Sequence, residues 1–423
     1  MNENPLKMKK HIYLFNEGSR AAGYVIGTYI RQMITCLTSI EDLVLHIVRL
    51  NSDVECFEVV NSKNGYEEIN IPSSLFSMGD RWKRHYRNCW YLIHSNMQIK
   101  KEEPVYFLLN YTNHHLMIPE IKKTFPSCQI TFVIHYQNWC FALNGNIKQI
   151  QSLLKKDKYT LNSKEQGILK SFYNEKQAYE LVDRVICLSH FTENLLWKLY
   201  EISPDKTEVI YNGLEEDIVY SSTTIRNDLK RQLGFSEKEK IILYVGRLDS
   251  IKGIKSLIHS FISLISERKD CRLVLIGDGD FSTYLKECNG YWDLITFTGR
   301  LEKDQLYQFY QIADIGILPS MHEQCSYTAI EMMMHGIPMI VSTSTGLNEM
   351  IEENYNGLHV PIKEHMNEVE IDTNLLAKKI IYLLQNPKKR KQMGINARNY
   401  YEKRYAIEIM RTKMINFYNS LYK

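Results

Sequence analysis

Short apolar runs recur along the chain at 12–15, 43–48, 105–109, 130–135, 184–188 and 209–211, and again at 241–245, 273–276, 295–297, 315–318, 339–342 and 358–360. They are brief and continuous rather than alternating, the pattern of strands covered on both faces. Longer stretches with helical spacing separate them, and strands alternating with helices predict parallel sheets. The chain therefore reads as α/β, with two sheets of about six strands each. The polar, turn-rich stretch 213–226 divides the two series, after which a helix at 228–233 precedes the next buried strand. The expected domains are 1–213, a linker at 214–226, 227–400 and a C-terminal helix within 401–423. In that last segment Ile407, Met410, Met414, Phe417 and Leu421 recur at spacings of three and four, one apolar stripe of an amphipathic helix.

Composition narrows the function. With 423 residues the chain exceeds what one core usually serves, so two domains are the natural reading. A net charge of +3 is too small to imply a nucleic-acid partner, and 44% hydrophobic with 24% charged residues suits ordinary soluble cores. The first twenty residues carry a lysine cluster but only a four-residue apolar run, too short for a signal core. No segment approaches the roughly 20 apolar residues of a membrane span. Nine cysteines, an odd count without any C-x-x-C, suggest neither a zinc site nor a disulfide framework. Reduced thiols and a cytoplasmic location are the expectation.

Candidate chemistry gathers in the second half. Glu323 and Glu331 flank Gln324-Cys-Ser-Tyr-Thr-Ala-Ile330, just after the strand ending near Leu318. Glu323 is expected on the loop leaving that strand and Glu331 inside the following helix. A loop carboxylate can accept hydrogen bonds from ligand hydroxyls, while amides of the first helical turn, Cys325 to Tyr327, can donate to anionic oxygens. Glu331 could take the paired hydroxyls of a ribose, as acids do in dinucleotide sites. Ordinary surface glutamates would show the same spacing, and a Cys325 nucleophile with His322 or His335 is the competing chemistry. After the strand 241–245, Gly246-Arg247 and Lys252-Gly253 open a helix at 254–267. An arginine and a lysine on one loop can neutralise two phosphates and stabilise a departing diphosphate. Asp278-Gly-Asp280 has the D-x-D form of metal-dependent transferases, but in a glycine-rich turn such aspartates usually serve the turn itself. The basic, aromatic stretch 81–91 could face a membrane or an anionic acceptor, though Met78, Trp82, Cys89 and Ile93 are spaced for a packed helix with a solvated basic face.

Taken together, Gly246-Arg247-x4-Lys252-Gly253, Gly277-Asp-Gly279, Phe297-x-Gly299, and Glu323-x7-Glu331 followed by Gly336-x-Pro338 resemble the donor domain of family 4 glycosyltransferases with the GT-B fold. Ile210-Tyr-Asn212-Gly213 and Asp183-Arg-Val-Ile-Cys-Leu-Ser189 resemble that family's domain junction and the strand before it. The resemblance covers about residues 180 to 423 well and the first 180 loosely.

This resemblance implies two Rossmann-like domains facing a cleft, with the C-terminal helix crossing back to the first. It implies a retaining hexosyltransferase that moves a sugar from a nucleotide-diphosphate donor to an acceptor glycan, lipid-linked sugar or peptide. No metal or other cofactor is expected beyond the sugar nucleotide, and peripheral membrane association stays open. Arg247 and Lys252 would bind the diphosphate, Glu331 the ribose, and Glu323 the transferred sugar's hydroxyls as a positioner. Gln324, Cys325, Ser326 and Tyr327 would hold sugar and phosphate oxygens through their amides, Gly246 would admit the phosphate, and Gly299-Arg300-Leu301 would border the base. His135, ending the strand 130–134, resembles the family's cleft histidine near the sugar. Two features depart from the pattern. The N-terminal glycine pair that touches the donor phosphate is replaced by a stretch in which only Gly23 or Gly27 can serve. Gln324 and Ser326 stand where glycines are common. The alternatives are another GT-B enzyme, an epimerase or phosphorylase, or a sugar-nucleotide-binding protein without turnover.

Overall fold

The apolar runs fold as parallel strands in this computed structural model, which describes residues 8–18, 25–62, 64–74, 81–218 and 223–421. In the first half β1 (Lys10–Glu17), β2 (Leu43–Ser52), β3 (Glu58–Asn61), β4 (Glu67–Pro72), β5 (Val105–Leu109), β6 (Gln129–Ile134), β7 (Arg184–Cys187) and β8 (Thr207–Val209) form an eight-stranded sheet in the order β3-β4-β2-β1-β5-β6-β7-β8. Neighbours are parallel except β3 with β4. That hairpin is the correction to the expected strand count. β3 is largely exposed, and β4 opens with two acids, so neither carries the continuous apolar run of a doubly covered strand.

The second half folds as β9 (Lys240–Val245), β10 (Cys271–Ile276), β11 (Ile295–Gly299), β12 (Ile315–Leu318), β13 (Met339–Ser342) and β14 (Gly357–Val360), with a small hairpin of β15 (Ile362–Glu364) and β16 (Val369–Ile371). The six-stranded sheet runs β11-β10-β9-β12-β13-β14 with every pairing parallel. Chain order reverses between β9 and β12, and ligands of open α/β sheets bind outside the carboxyl ends of strands at such a reversal.

Contacts gather the chain into two units: one of Met1–Gln137, Leu169–Gly213 and Ile407–Lys423, the other of Asn138–Ile168 and Leu214–Ala406. Residues 138–168 were expected with the first domain and instead pack with the second. There the Asn146 side-chain amide donates to His365 O at 2.6 Å, and the Lys148 amide donates to Glu364. The helix Ile407–Ser420 packs in the first unit on the helix Val25–Leu37, burying Ile407, Met410, Met414, Phe417 and Tyr418. Residues 401–406 stay with the second unit, because Tyr401 Oη donates to Leu214 O at 2.8 Å and the Leu214 amide to Tyr405 O at 2.9 Å. The expected linker is tied down at its start: Glu216 accepts from Arg398 and Asp217 from Tyr307 Oη at 2.9 Å.

The basic stretch is a packed helix, Trp82–Ser95, with Tyr86, Cys89, Trp90 and Ile93 inward and Lys83, Arg84 and Arg87 exposed. Trp82 is itself 38% exposed, and Met78 lies outside the described residues. Among the described residues no helix is long and apolar enough to cross a membrane.

Candidate active site

Because the strands of the second sheet are parallel, the loops after β9, β10, β11, β12 and β13 all emerge at one edge. Backbone bonds tie the first three together: Gly246 N donates to Ile276 O, and Gly277 N to Gly299 O, both at 2.9 Å. Gly277 cannot be anything else. Its φ is +139°, and a Cβ would stand 1.9 Å from Gly246 O. Arg247 follows directly, with Nη1 2.9 Å from Asp249 Oδ2 and its guanidinium 5.6 Å from the centre of the Phe141 ring. The Tyr244 hydroxyl, donating to Arg247 O at 2.8 Å, is pushed well up by burial and then by the nearby carboxylates of Glu323 and Asp249.

Lys252 ends a single 3-10 turn, Ser250–Lys252, that Gly253 closes in the left-handed region at φ +70°. A Cβ on Gly253 would meet Pro319 O at 2.2 Å, so this glycine lets the cationic turn lie against the loop leaving β12. Met321 N donates to Ile251 O at 2.7 Å across the same seam. Lys252 Nζ thereby reaches Glu323 Oε1 and forms an ion pair whose side chains are only 15% and 18% exposed. Ser320 Oγ donates to the same carboxylate oxygen at 3.3 Å. From the loop after β13, Gly346 N donates to Glu323 O at 2.8 Å, and the Glu323 amide donates to Thr345 Oγ1 at 2.8 Å. Glu323 is thus held at backbone and side chain from three loops.

The helix Tyr327–Met334 begins at this point, capped by Ser326, whose Oγ accepts from Ala329 N. Gln324, Cys325, Ser326 and Tyr327 are all buried, so the expected donor loop is a packed turn rather than a mobile one. Gln324 Nε2 lies 3.3 Å from His322 Nε2, and burial depresses that imidazole to about 4. Glu331 sits on the helix with Oε2 accepting from Tyr310 Oη at 2.7 Å. His335 Nδ1 donates to Glu331 O at 2.8 Å, with the Tyr307 and Tyr310 rings 4.7 and 4.8 Å away. Gly299 ends β11 and is followed by exposed Arg300 and half-buried Leu301, at the same sheet edge. Asp280 directs both carboxylate oxygens to Thr283 as a helix cap, the turn-serving role.

The other residues expected at the site lie in the first unit or outside the described residues. His135 lies one residue beyond β6, buried, with Nε2 2.9 Å from Asn110 Oδ1. Asn110 Nδ2 donates to Phe15 O, which turns its oxygen toward the imidazole. His135 must then carry its proton on Nε2 and leave Nδ1 as a bare acceptor, without a hydrogen-bond partner among the described residues. Burial depresses it to about 3. Gly27 requires a correction: it is the third residue of the helix Val25–Leu37 and buried, a helical position rather than a loop glycine. Gly23 lies outside the described residues.

Sequence reading did not find Tyr310, Thr345, Asp249 or Phe141. Asp249 was legible in principle, being two residues from Arg247. Tyr310 is 21 positions from Glu331 on another helix, and no local pattern links them.

Residues 38–218 match the family model described as Glycosyltransferase Family 4, and residues 225–400 the one described as Glycosyl transferases group 1. An uncharacterized glycosyltransferase from Methanocaldococcus jannaschii is 31% identical over 243 residues, which span 54% of this chain and 62% of that protein. The fold is similar to sucrose-phosphate synthase from Thermosynechococcus elongatus, with a TM-score of 0.75 and 20% identity over 98% of this chain and 99% of that one. It is also similar to Anabaena HepE in complex with UDP-glucose, with a TM-score of 0.66 and 16% identity over 97% and 99% of the two chains. With two glycosyltransferase models tiling both halves, and two parallel-sheet units of this topology beneath them, the chain belongs to the GT-B glycosyltransferases.

Proposed function

We propose that the chain transfers a hexosyl group from a nucleoside diphosphate sugar to an acceptor, with retention of anomeric configuration and without a metal ion. The observation that carries this reading is the Lys252–Glu323 pair, which joins the turn after β9 to the loop after β12 where the strand order reverses. A sugar diphosphate presents adjacent phosphates and hydroxyls, and this seam offers adjacent cations and carboxylates.

Arg247 and Lys252 would stabilise negative charge as it grows on the departing diphosphate. Lys252 has three donor positions and can keep Glu323 while taking a phosphate oxygen. Glu323 would accept hydrogen bonds from sugar hydroxyls and hold the ring in place. A double displacement needs a carboxylate free to approach the anomeric carbon, whereas Glu323 Oε1 is already engaged by Lys252 and Ser320. The leaving phosphate would then take the acceptor proton on the same face. Glu331 would accept from the ribose diol. His135, neutral and with Nδ1 bare, suits a hydroxyl donor rather than an anion. The acceptor would be a glycan, a lipid-linked sugar or a peptide.

HepE's bound ligand makes UDP-glucose the first donor to assay, followed by GDP- and ADP-sugars. Release of nucleoside diphosphate on addition of acceptor is the expected signal, and donor binding without release across an acceptor panel would favour a non-catalytic protein. EDTA should leave turnover intact; abolition with rescue by manganese overturns metal independence.

A further inference from the structure

We infer, resting on the transfer reaction proposed above, that Phe141 and Asn144 are positioning residues for the phosphate-binding turn after β9: Phe141 sets the plane of the Arg247 guanidinium, and Asn144 holds the turn that carries Lys252. Both lie in the segment that leaves the first unit after Gln137 and rejoins it at Leu169. The segment is fastened to the second unit at three places. Asn144 Oδ1 accepts from Ser250 Oγ at 3.1 Å, on the turn Ser250–Lys252. Gly145 lies against the loop after β12, where a Cβ would stand 2.7 Å from His322 Cβ and 3.0 Å from Met321 O. Asn146 donates to His365 O beside the β15–β16 hairpin. Asn144 and Gly145 are both left-handed, at φ +48° and +73°, which brings the chain up to the two loops.

Phe141 is 45% exposed, so packing does not account for its place; its ring lies under the Arg247 guanidinium at 5.6 Å. Asp249 pairs with Nη1, one corner of a planar fork with five N–H donors. A guanidinium held at one corner still swings about that contact. An aromatic face beneath it fixes the plane, because the cation is drawn to the negative face of the ring. Two adjacent phosphates gain from a fork that is already oriented, since less side-chain freedom is lost on binding. A single phosphate gains less, because it needs fewer of these donors. The ring should therefore act on the diphosphate part of the donor rather than on the nucleoside.

The test compares binding of UDP with UMP, GDP with GMP and ADP with AMP to the full chain, and follows the diphosphate preference of the tightest pair. Phe141→Leu should lower that preference at least about threefold, and Phe141→Tyr, which keeps the ring, should hold it within about twofold. In an Arg247→Ala background Phe141→Leu should change the preference no further. An unchanged preference in Phe141→Leu, equal weakening of mono- and diphosphate, or a further loss on top of Arg247→Ala would each overturn the role of the ring. Asn144→Gly keeps the left-handed backbone and should also lower the preference; no change there removes Asn144 from the proposal. The two readings fail separately. If Arg247→Ala lowers the preference and Phe141→Leu does not, only the positioning role falls, whereas an unaltered preference in Arg247→Ala takes away the diphosphate role of Arg247 in the proposed transfer. Failure to bind any of the three diphosphates sinks the transfer reading and the positioning roles with it.

Discussion

Lys252 and Glu323 are 71 residues apart in sequence and pair across the seam between the turn after β9 and the loop after β12. Consider Lys252→Met and Glu323→Gln, made singly and together. Both side chains are more than four-fifths buried, so removing one partner strands the other in a poorly solvated place at a cost of about 3 kcal/mol. The gross attraction of such a pair at an effective dielectric near 20 is about 4 kcal/mol, most of it offset by desolvation. Removing both charges should therefore cost little more than removing one. The double variant is expected to lose about 3 kcal/mol rather than the 6 of independent sites, a coupling of about 2–3 kcal/mol. Urea unfolding of the ligand-free chain measures it. Additivity within about 0.5 kcal/mol would refute the reasoning, because the two groups would then be independently solvated. The same variants separate roles in catalysis. Lys252→Met should cut turnover at least about tenfold if the ammonium stabilises the leaving diphosphate, whereas Glu323→Gln should act mainly on the sugar portion of the donor.

Acid should destabilise the fold. Burial depresses His114 and His135 to about 3 and His322 and His335 to about 4, whereas in the unfolded chain each titrates near about 6.5. The folded form stays neutral while the unfolded chain takes up protons, so stability is lost as pH falls from about 6.5 toward about 4, by up to about 1.4 kcal/mol per pH unit for each group. Buried Glu17, whose carboxyl is pushed up by burial, offsets part of this. A thermal midpoint that stays flat between pH 7 and about 5 would contradict this expectation. Gly277→Ala and Gly299→Ala separate close approach from backbone preference. At Gly299, φ is +73° with nothing within 4 Å of an added Cβ, so alanine should cost about 1–2 kcal/mol. At Gly277 the added atom meets Gly246 O at 1.9 Å, and the loss should be at least twice as large by thermal unfolding.

Strands covered on both faces were legible because burial there selects mostly apolar residues. β5, β12 and β13 are wholly buried, and each coincides with a continuous run. The hairpin of β3 and β4 escaped notice because β3 is an exposed edge strand held by backbone bonds and β4, paired with β2 on its other side, opens with two acids. The glycine motif was readable for a related reason. Gly277 and Gly253 are demanded by backbone approaches of about 2 Å that no side chain permits, so glycine spacing records loop geometry. Gly27 misled because a glycine can equally sit within a helix, and residue type alone does not tell the two apart.

Local sequence determined which doubly covered segments are strands, where the loops carrying Arg247, Lys252 and Glu323 and the helix carrying Glu331 follow them, and the order of these along the chain. Folding alone decided that residues 138–168 join the second unit, that Phe141 lies beside Arg247, that Lys252 closes on Glu323 and that Tyr310 holds Glu331. The first set depends on burial and backbone conformation, which act within a few residues. The second depends on which strands become neighbours, and strand order in a parallel sheet is set by packing of the whole unit rather than by any window of sequence.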